Sequence, residues 1–208
     1  MKQIRAAMLP LMLLLLSGCS ALSALSEASA QLDAYTLSPV TSATAPASGS
    51  RHLVVELPTS AGALSTDRIL IKPIPFQAQY LPDGRWSEPA PALVQTLLVS
   101  SFQNLGGFRL VGRTGAGLMP DFTLMTELQD FHAQPVDPAN PRAAPMTVRV
   151  SLMMTLIREN DRHIIASRRF TASAIAASDD TFALVAGFDS AMQMVLQEAV
   201  GWTRAQAR

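Results

Sequence analysis

The clearest pattern along this chain lies at residues 147–157, where apolar and polar positions alternate. Val148, Val150, Leu152, Met154 and Leu156 face one way, while Thr147, Arg149, Ser151 and Thr155 face the other. A period of two over that length predicts a strand with one face buried. Glu159-Asn160-Asp161 predicts a turn, and residues 164–175 return as the hairpin partner. Residues 121–131 predict a longer strand with Phe122, Leu124 and Leu128 on one side. Shorter strands are expected at 33–37, 52–57, 68–72, 76–80 and 108–111. Pro82-Asp83-Gly84 has turn chemistry and is read as a turn between 76–80 and Trp86. Residues 40–50 and the proline-rich 135–145 are read as loops.

Two stretches change period. Val94, Leu97, Leu98, Ser101, Phe102 and Leu105 fall on one helical face, with Pro89 and Pro91 in the first turn and Gly106-Gly107 as the stop. After Asp179-Asp180, a second helix runs to about residue 205. Its stripe comprises Leu184, Val185, Phe188, Ala191, Met192, Val195, Ala199 and Trp202. The order of strands, helix, strands, helix predicts an α+β domain: a mainly antiparallel sheet with two amphipathic helices packed on one face. No repeat of solenoid length is present.

Composition narrows the class. The chain has 208 residues, 49% of them hydrophobic, with 16 basic and 16 acidic side chains. That is the size of one domain plus a leader. Without residues 1–18, which hold Lys2 and Arg5 and no acid, fourteen basic groups face sixteen acidic ones. Nucleic-acid binding needs a clustered basic excess, so that partner class is not expected. Lys2 and Lys72 are the only lysines, and the preponderance of arginine is read as a genomic composition effect. The single cysteine excludes an internal disulfide and a cysteine-based zinc site.

The position of that cysteine matters. Lys2 and Arg5 form a short positive segment, and residues 6–16 are apolar apart from Pro10. About eleven residues suit a signal peptide and fall short of the roughly 20 that cross a bilayer as a helix. Leu16-Ser17-Gly18-Cys19 follows and resembles the bacterial lipobox at every position. Two other readings exist: Cys19 as an ordinary leader hydrophobe, or cleavage after Ala28-Ser29-Ala30. The latter site lies too far beyond the apolar run, with Glu27 and several serines between. The lipobox reading makes 1–18 the signal peptide, Cys19 the lipid attachment residue, 19–32 a lipidated tether and 33–205 the domain. One acyl chain binds membranes marginally, whereas two or more hold stably. Ser20 rather than Asp follows the cysteine. By resemblance to enterobacterial lipoproteins, that implies the outer membrane.

Candidate chemistry is sparse. Gly112-Arg-Thr-Gly-Ala-Gly117 lacks the Lys-Ser/Thr of a phosphate loop and reads as an ordinary turn. His52, His132 and His163 lack metal-ligand spacing, and Asp179-Asp180 suits a helix start better than acid catalysis. One of Arg168-Arg169 must find a partner or a sheet end, which hints at an interface. No nucleophile elbow or His-Glu-x-x-His occurs, so no enzyme, cofactor or metal is expected.

Several segments carry a resemblance: Tyr35-Thr36-Leu37, VVELPTSAGALSTDRILIKP at 54–73, Tyr80 through Arg85-Trp86, GGFRLVGR at 106–113 and DFTLMTELQDFHA at 121–133. Together the mature chain resembles the ABC-type transport auxiliary lipoproteins, the paraquat-inducible protein C-like group. Where that family often has Tyr-Tyr-x-Leu, this chain has Ala34-Tyr35-Thr36-Leu37. The resemblance implies a periplasm-facing lipoprotein working with an ABC transporter permease and ATPase and an MCE-domain protein. Such systems move lipids or other hydrophobic molecules between membranes. It supplies no catalytic residues and leaves self-association open. An envelope-assembly lipoprotein acting on lipopolysaccharide or the cell wall is the alternative.

Overall fold

A computed structural model describes residues 32–42, 49–115, 117, 119–141 and 145–208. The signal peptide, Cys19 and the tether up to residue 31 lie outside the described residues. The body, Asp33–Arg208, is one compact unit.

Its strands are β1 (Asp33–Tyr35), β2 (His52–Val55), β3 (Thr59–Ser60), β4 (Arg68–Ile71), β5 (Gln79–Trp86), β6 (Leu110–Arg113), β7 (Phe122–Pro135), β8 (Met146–Arg158) and β9 (His163–Ile175). Helix α1 spans Ala90–Leu105 and α2 spans Thr181–Gln206. One mixed nine-stranded sheet results. Strand β7 is its spine. On one side β7, β8 and β9 form an antiparallel meander, of which the β8–β9 hairpin was expected. On the other side β2, β3 and β4 lie in turn along β7, at Phe122–Leu124, Glu127–Leu128 and His132–Ala133.

These three pairings are parallel, as are β1 with β5 and β2 with β6. The expectation of a mainly antiparallel sheet is therefore corrected: five of eight pairings are parallel. Parallel neighbours need a long crossover. The β5–α1–β6 excursion provides it, carrying the chain from β4 back to the start of β7.

A second correction concerns Pro82-Asp83-Gly84. These residues do not reverse the chain but sit inside β5. Tyr80 pairs with Leu70 and Arg85 with Arg68, so β5 carries extra residues in a bulge. A bulge tolerates proline's missing N–H just as a turn does, which is why the composition misled. Strand β6 also starts later than expected, at Leu110, and β7 runs on to Pro135.

Both helices pack on the same face of the sheet. The apolar row of β8 is buried beneath α2, while Trp86, Phe131 and Phe188 meet with ring centroids 4.8–5.2 Å apart. Every residue of the two expected helical stripes is buried except Leu105 and Trp202, which are half-buried. Edge-to-face packing of that kind adds about 0.5–1.5 kcal/mol per pair beyond area burial.

Candidate functional site

The sheet has two ends, set by the direction of β7. At its start lie three adjoining clefts, two of them lined by Arg51 and one of those also by Asp121. The largest of the three, about 710 Å³, lies between the starts of β2 and β7, the β8–β9 turn and the last turn of α2; Met119, Pro120, Phe122 and Ile165 contribute its apolar lining. A second, about 420 Å³, is lined by Gly49, Ser50, Arg51, Gly107, Arg204, Ala207 and Arg208. Three guanidinium groups line it, and no Asp or Glu side chain does. A third, about 220 Å³, adds Arg113 and Arg162 beside Glu56 and Glu159.

Local sequence explains the geometry. Gly106 and Gly107 end α1 with φ of 68° and 99°, a region that suits glycine. A Cβ on Gly49 would lie 2.1 Å from the Gly107 carbonyl oxygen, so only glycine lets these two segments approach. The Arg204 side chain lies against Gly107. Asp121 then ties the floor together. Its carboxylate accepts from the His52 backbone N–H at 2.7 Å and from Arg51 Nη1 at 3.1 Å. The His52 bond holds its pKa below the ordinary value, against a smaller opposing effect of burial, with Arg51 assisting.

Across the cleft, Arg158 donates twice to Asp161, at 3.1 and 2.7 Å. That pairing pushes the Asp161 carboxyl down to about 2. Arg162, at φ 54° in the hairpin turn, pairs with Glu159 at 3.3 Å. Asp121 and Asp161, both held below the ordinary carboxylate value, are charged at neutral pH. Arg204 and Arg208 have no ion pair among the described residues. The arrangement therefore presents surplus guanidinium groups over a partly apolar floor. It suits recognition of an anionic surface by charge and by forked hydrogen bonds.

The residues singled out from the sequence lie mostly elsewhere. His132 is buried in β7 against Gln134, with Asp130 3.7 Å away, and burial lowers its pKa with help from Lys72. His52 is half-buried at the start of β2 and His163 is exposed in β9. No group of three or more candidate metal ligands occurs among the described residues. Asp180 caps α2 by accepting from the Ala183 N–H at 2.9 Å. Arg168 pairs with Glu198 of α2, and Arg169 points out from the opposite face. Gly112 and Arg113 end β6 ahead of a turn; Ala116 and Leu118 lie outside the described residues. Reading the arginine excess as compositional concealed the cluster at Arg51, whose members are scattered over the sequence.

The comparisons define a class. The family model for the ABC-type transport auxiliary lipoprotein component matches residues 35–200, and the chain belongs to that family. Its fold is similar to a crystal structure of a protein from Xanthomonas campestris, 26% identical, with a TM-score of 0.73 over 85% of this chain and 96% of that one. A second crystal structure, of an uncharacterized protein, shares the fold at 17% identity and a TM-score of 0.62 over 84% and 99%. The chain is also 28% identical over 154 residues to an uncharacterized protein of Bradyrhizobium diazoefficiens. That match covers 74% of this chain and 40% of the relative, so this chain spans about two fifths of it. The family places the protein among envelope-associated lipoproteins of ABC-type transport. Among the described residues no helix is long and apolar enough to cross a membrane.

Proposed function

We propose that this protein is the outer-membrane component of an intermembrane transport system built on an ABC transporter and an MCE-domain protein, with lipids or other hydrophobic molecules as cargo. Cys19 carries the acyl chains, the body faces the periplasm, and the protein works by docking rather than by catalysis. The observation that carries this reading is the family match over residues 35–200, joined to the lipobox at 16–19. The arginine-rich clefts are the docking site in this reading. Their surplus positive charge selects an acidic surface on the transport partner, and charge complementarity of that kind sets orientation and association rate.

A photo-crosslinking residue in place of Met119, which lines the largest cleft and is exposed, tests this in the native envelope. The expected captured partner is an MCE or ABC component. Capture of a lipopolysaccharide or cell-wall assembly machine instead would overturn the transport assignment in favour of the envelope-assembly alternative.

A further inference from the structure

The opposite end of the body differs in kind. Strands β4 and β5 are joined there by Lys72-Pro73-Ile74-Pro75-Phe76-Gln77-Ala78. The Gln77 N–H donates to the Ile74 carbonyl at 3.2 Å, closing a four-residue turn with Pro75 and Phe76 at its corners. Phe76 has φ of 66°, a corner conformation that normally calls for glycine or asparagine. A phenylalanine there is strained, and its ring is wholly exposed, beside Ile74 at 47% exposure. Neither local propensity nor core packing accounts for it. Strain of this sort at an exposed position is a reason to look for a ligand. The flanking prolines fix the loop, so little freedom is lost when the ring becomes buried.

The occupant follows from where the chain enters the body. Strand β1 is parallel to β5, pairing Asp33 with Gly84 and Tyr35 with Trp86. Strand β5 itself starts at the tip, so the chain comes into β1 from the tip's side. Gly84 also adjoins Thr181, placing the first turn of α2 beside this entrance. Phe182 on that turn is 73% exposed and Ile175, at the end of β9, is 68% exposed. Only 13 residues separate Cys19 from Asp33. At roughly 3.3–3.6 Å each when extended, they hold Asp33 within about 50 Å of an anchored Cys19.

We infer that the Ile74–Phe76 tip inserts into the membrane surface that holds the lipid anchor, with Phe182 beside it, and so turns the arginine clefts toward the periplasmic partner. This deepens the proposed function and rests on its lipid anchor. The tether makes the contact intramolecular, so a small apolar area suffices. Asp137, just after β7, and Asp179 and Asp180, between β9 and α2, belong to the same end as Lys72, and Arg149 there is paired with Asp130, so the described residues of this end carry no basic excess. The contact is therefore apolar, not an attraction to anionic headgroups, and it is insensitive to salt.

The full lipidated chain in phosphatidylcholine vesicles tests this, with an environment-sensitive dye on Phe76→Cys or on Met119→Cys as the far-end control. The dye at 76 should shift to the blue and lose at least half its emission when the acyl chains are brominated; the dye at 119 should do neither. Vesicle-bound protein whose dye at 76 matches the one at 119 overturns the proposal and leaves the anchor standing. A blue shift that grows with protein density and ignores brominated lipid assigns the tip to a second copy of the chain, and also overturns it. Protein that does not stay with the vesicles overturns the anchor and the proposal together.

Discussion

The two ends of the sheet are built from the same strands yet solve different problems. At the start of β7, charged groups are paired and arranged: Asp121 with Arg51, Asp161 with Arg158, Glu159 with Arg162. At its far end Ile74, Phe76, Ile175 and Phe182 are exposed apolar groups, and a left-handed corner holds Phe76 outward. A charged surface gives orientation and selectivity, while an exposed apolar point gives attachment with little selectivity. A docking lipoprotein needs one of each, separated by a rigid body. The difference between the ends is thus the functional design proposed here, and the shared core transmits no more than their spacing.

Breaking that core has the largest expected effect, because it removes both ends together. Phe188 is fully buried where Trp86 and Phe131 meet α2. Phe188→Asp puts an unpaired charge there at a cost of about 4 kcal/mol or more. Circular dichroism should show an unfolded chain; a native spectrum would mean the two ends are held by something other than this core. Next in size is Gly107→Ala, which perturbs the arginine end alone. Its φ of 99° disfavours any side chain, and the new Cβ would meet Arg204 Nε at 2.5 Å. A loss of about 1–3 kcal/mol in urea denaturation is expected. Gly62→Ala, with nothing within 4 Å of the new Cβ, is the control and should not destabilise.

Much of the scaffold was legible from periodicity. The alternation in β8 and the stripe on α2 identify their buried faces because each element has one apolar side. Partner choice was not legible. Strands β2, β3 and β4 are two to four residues long, and nothing in so short a run says which way its neighbour points. The bulge in β5 hid for a related reason, since turns and bulges recruit the same residues. The arginine clefts were invisible because Arg51, Arg158, Arg204 and Arg208 meet only after the sheet and α2 are assembled. The tip was half visible: a Pro-Ile-Pro-Phe run can be read from the sequence, but its left-handed corner cannot.

The ends also differ in how acid should act on them. His132 lies in the far half of β7, where burial and Lys72 lower its pKa from 6.5, with Arg149 adding a little and Gln134 and Asp130 opposing. Its neutral form is favoured in the fold, so the unfolded chain takes up the proton first. The stability from His132 is complete above 6.5 and is lost as pH falls through the lower folded value. His132→Gln should flatten the dependence of the urea midpoint on pH below 6.5. If wild type and variant fall in parallel there, the far half does not carry this sensitivity.

The smallest expected effect is at Asp161, and it sharpens the contrast most. Its carboxyl is exposed and held at about 2 instead of 3.8, chiefly by the hydrogen bonds from Arg158. A depressed carboxylate helps the fold above its ordinary value and stops helping as pH falls through the folded one. The Asp161–Arg158 pair should therefore loosen between 3.8 and about 2. Exposure to solvent makes the global change slight, so the readout must be local. The His163 N–H donates to Asp161 at 3.2 Å and reports the turn directly. Asp161→Asn should speed exchange of that amide at neutral pH to the opening that wild type reaches only near pH 2, with the melting midpoint almost unmoved. Unchanged protection of His163 in the variant would show that the β8–β9 turn is held by the hairpin alone, and that Arg158 is free to meet a partner.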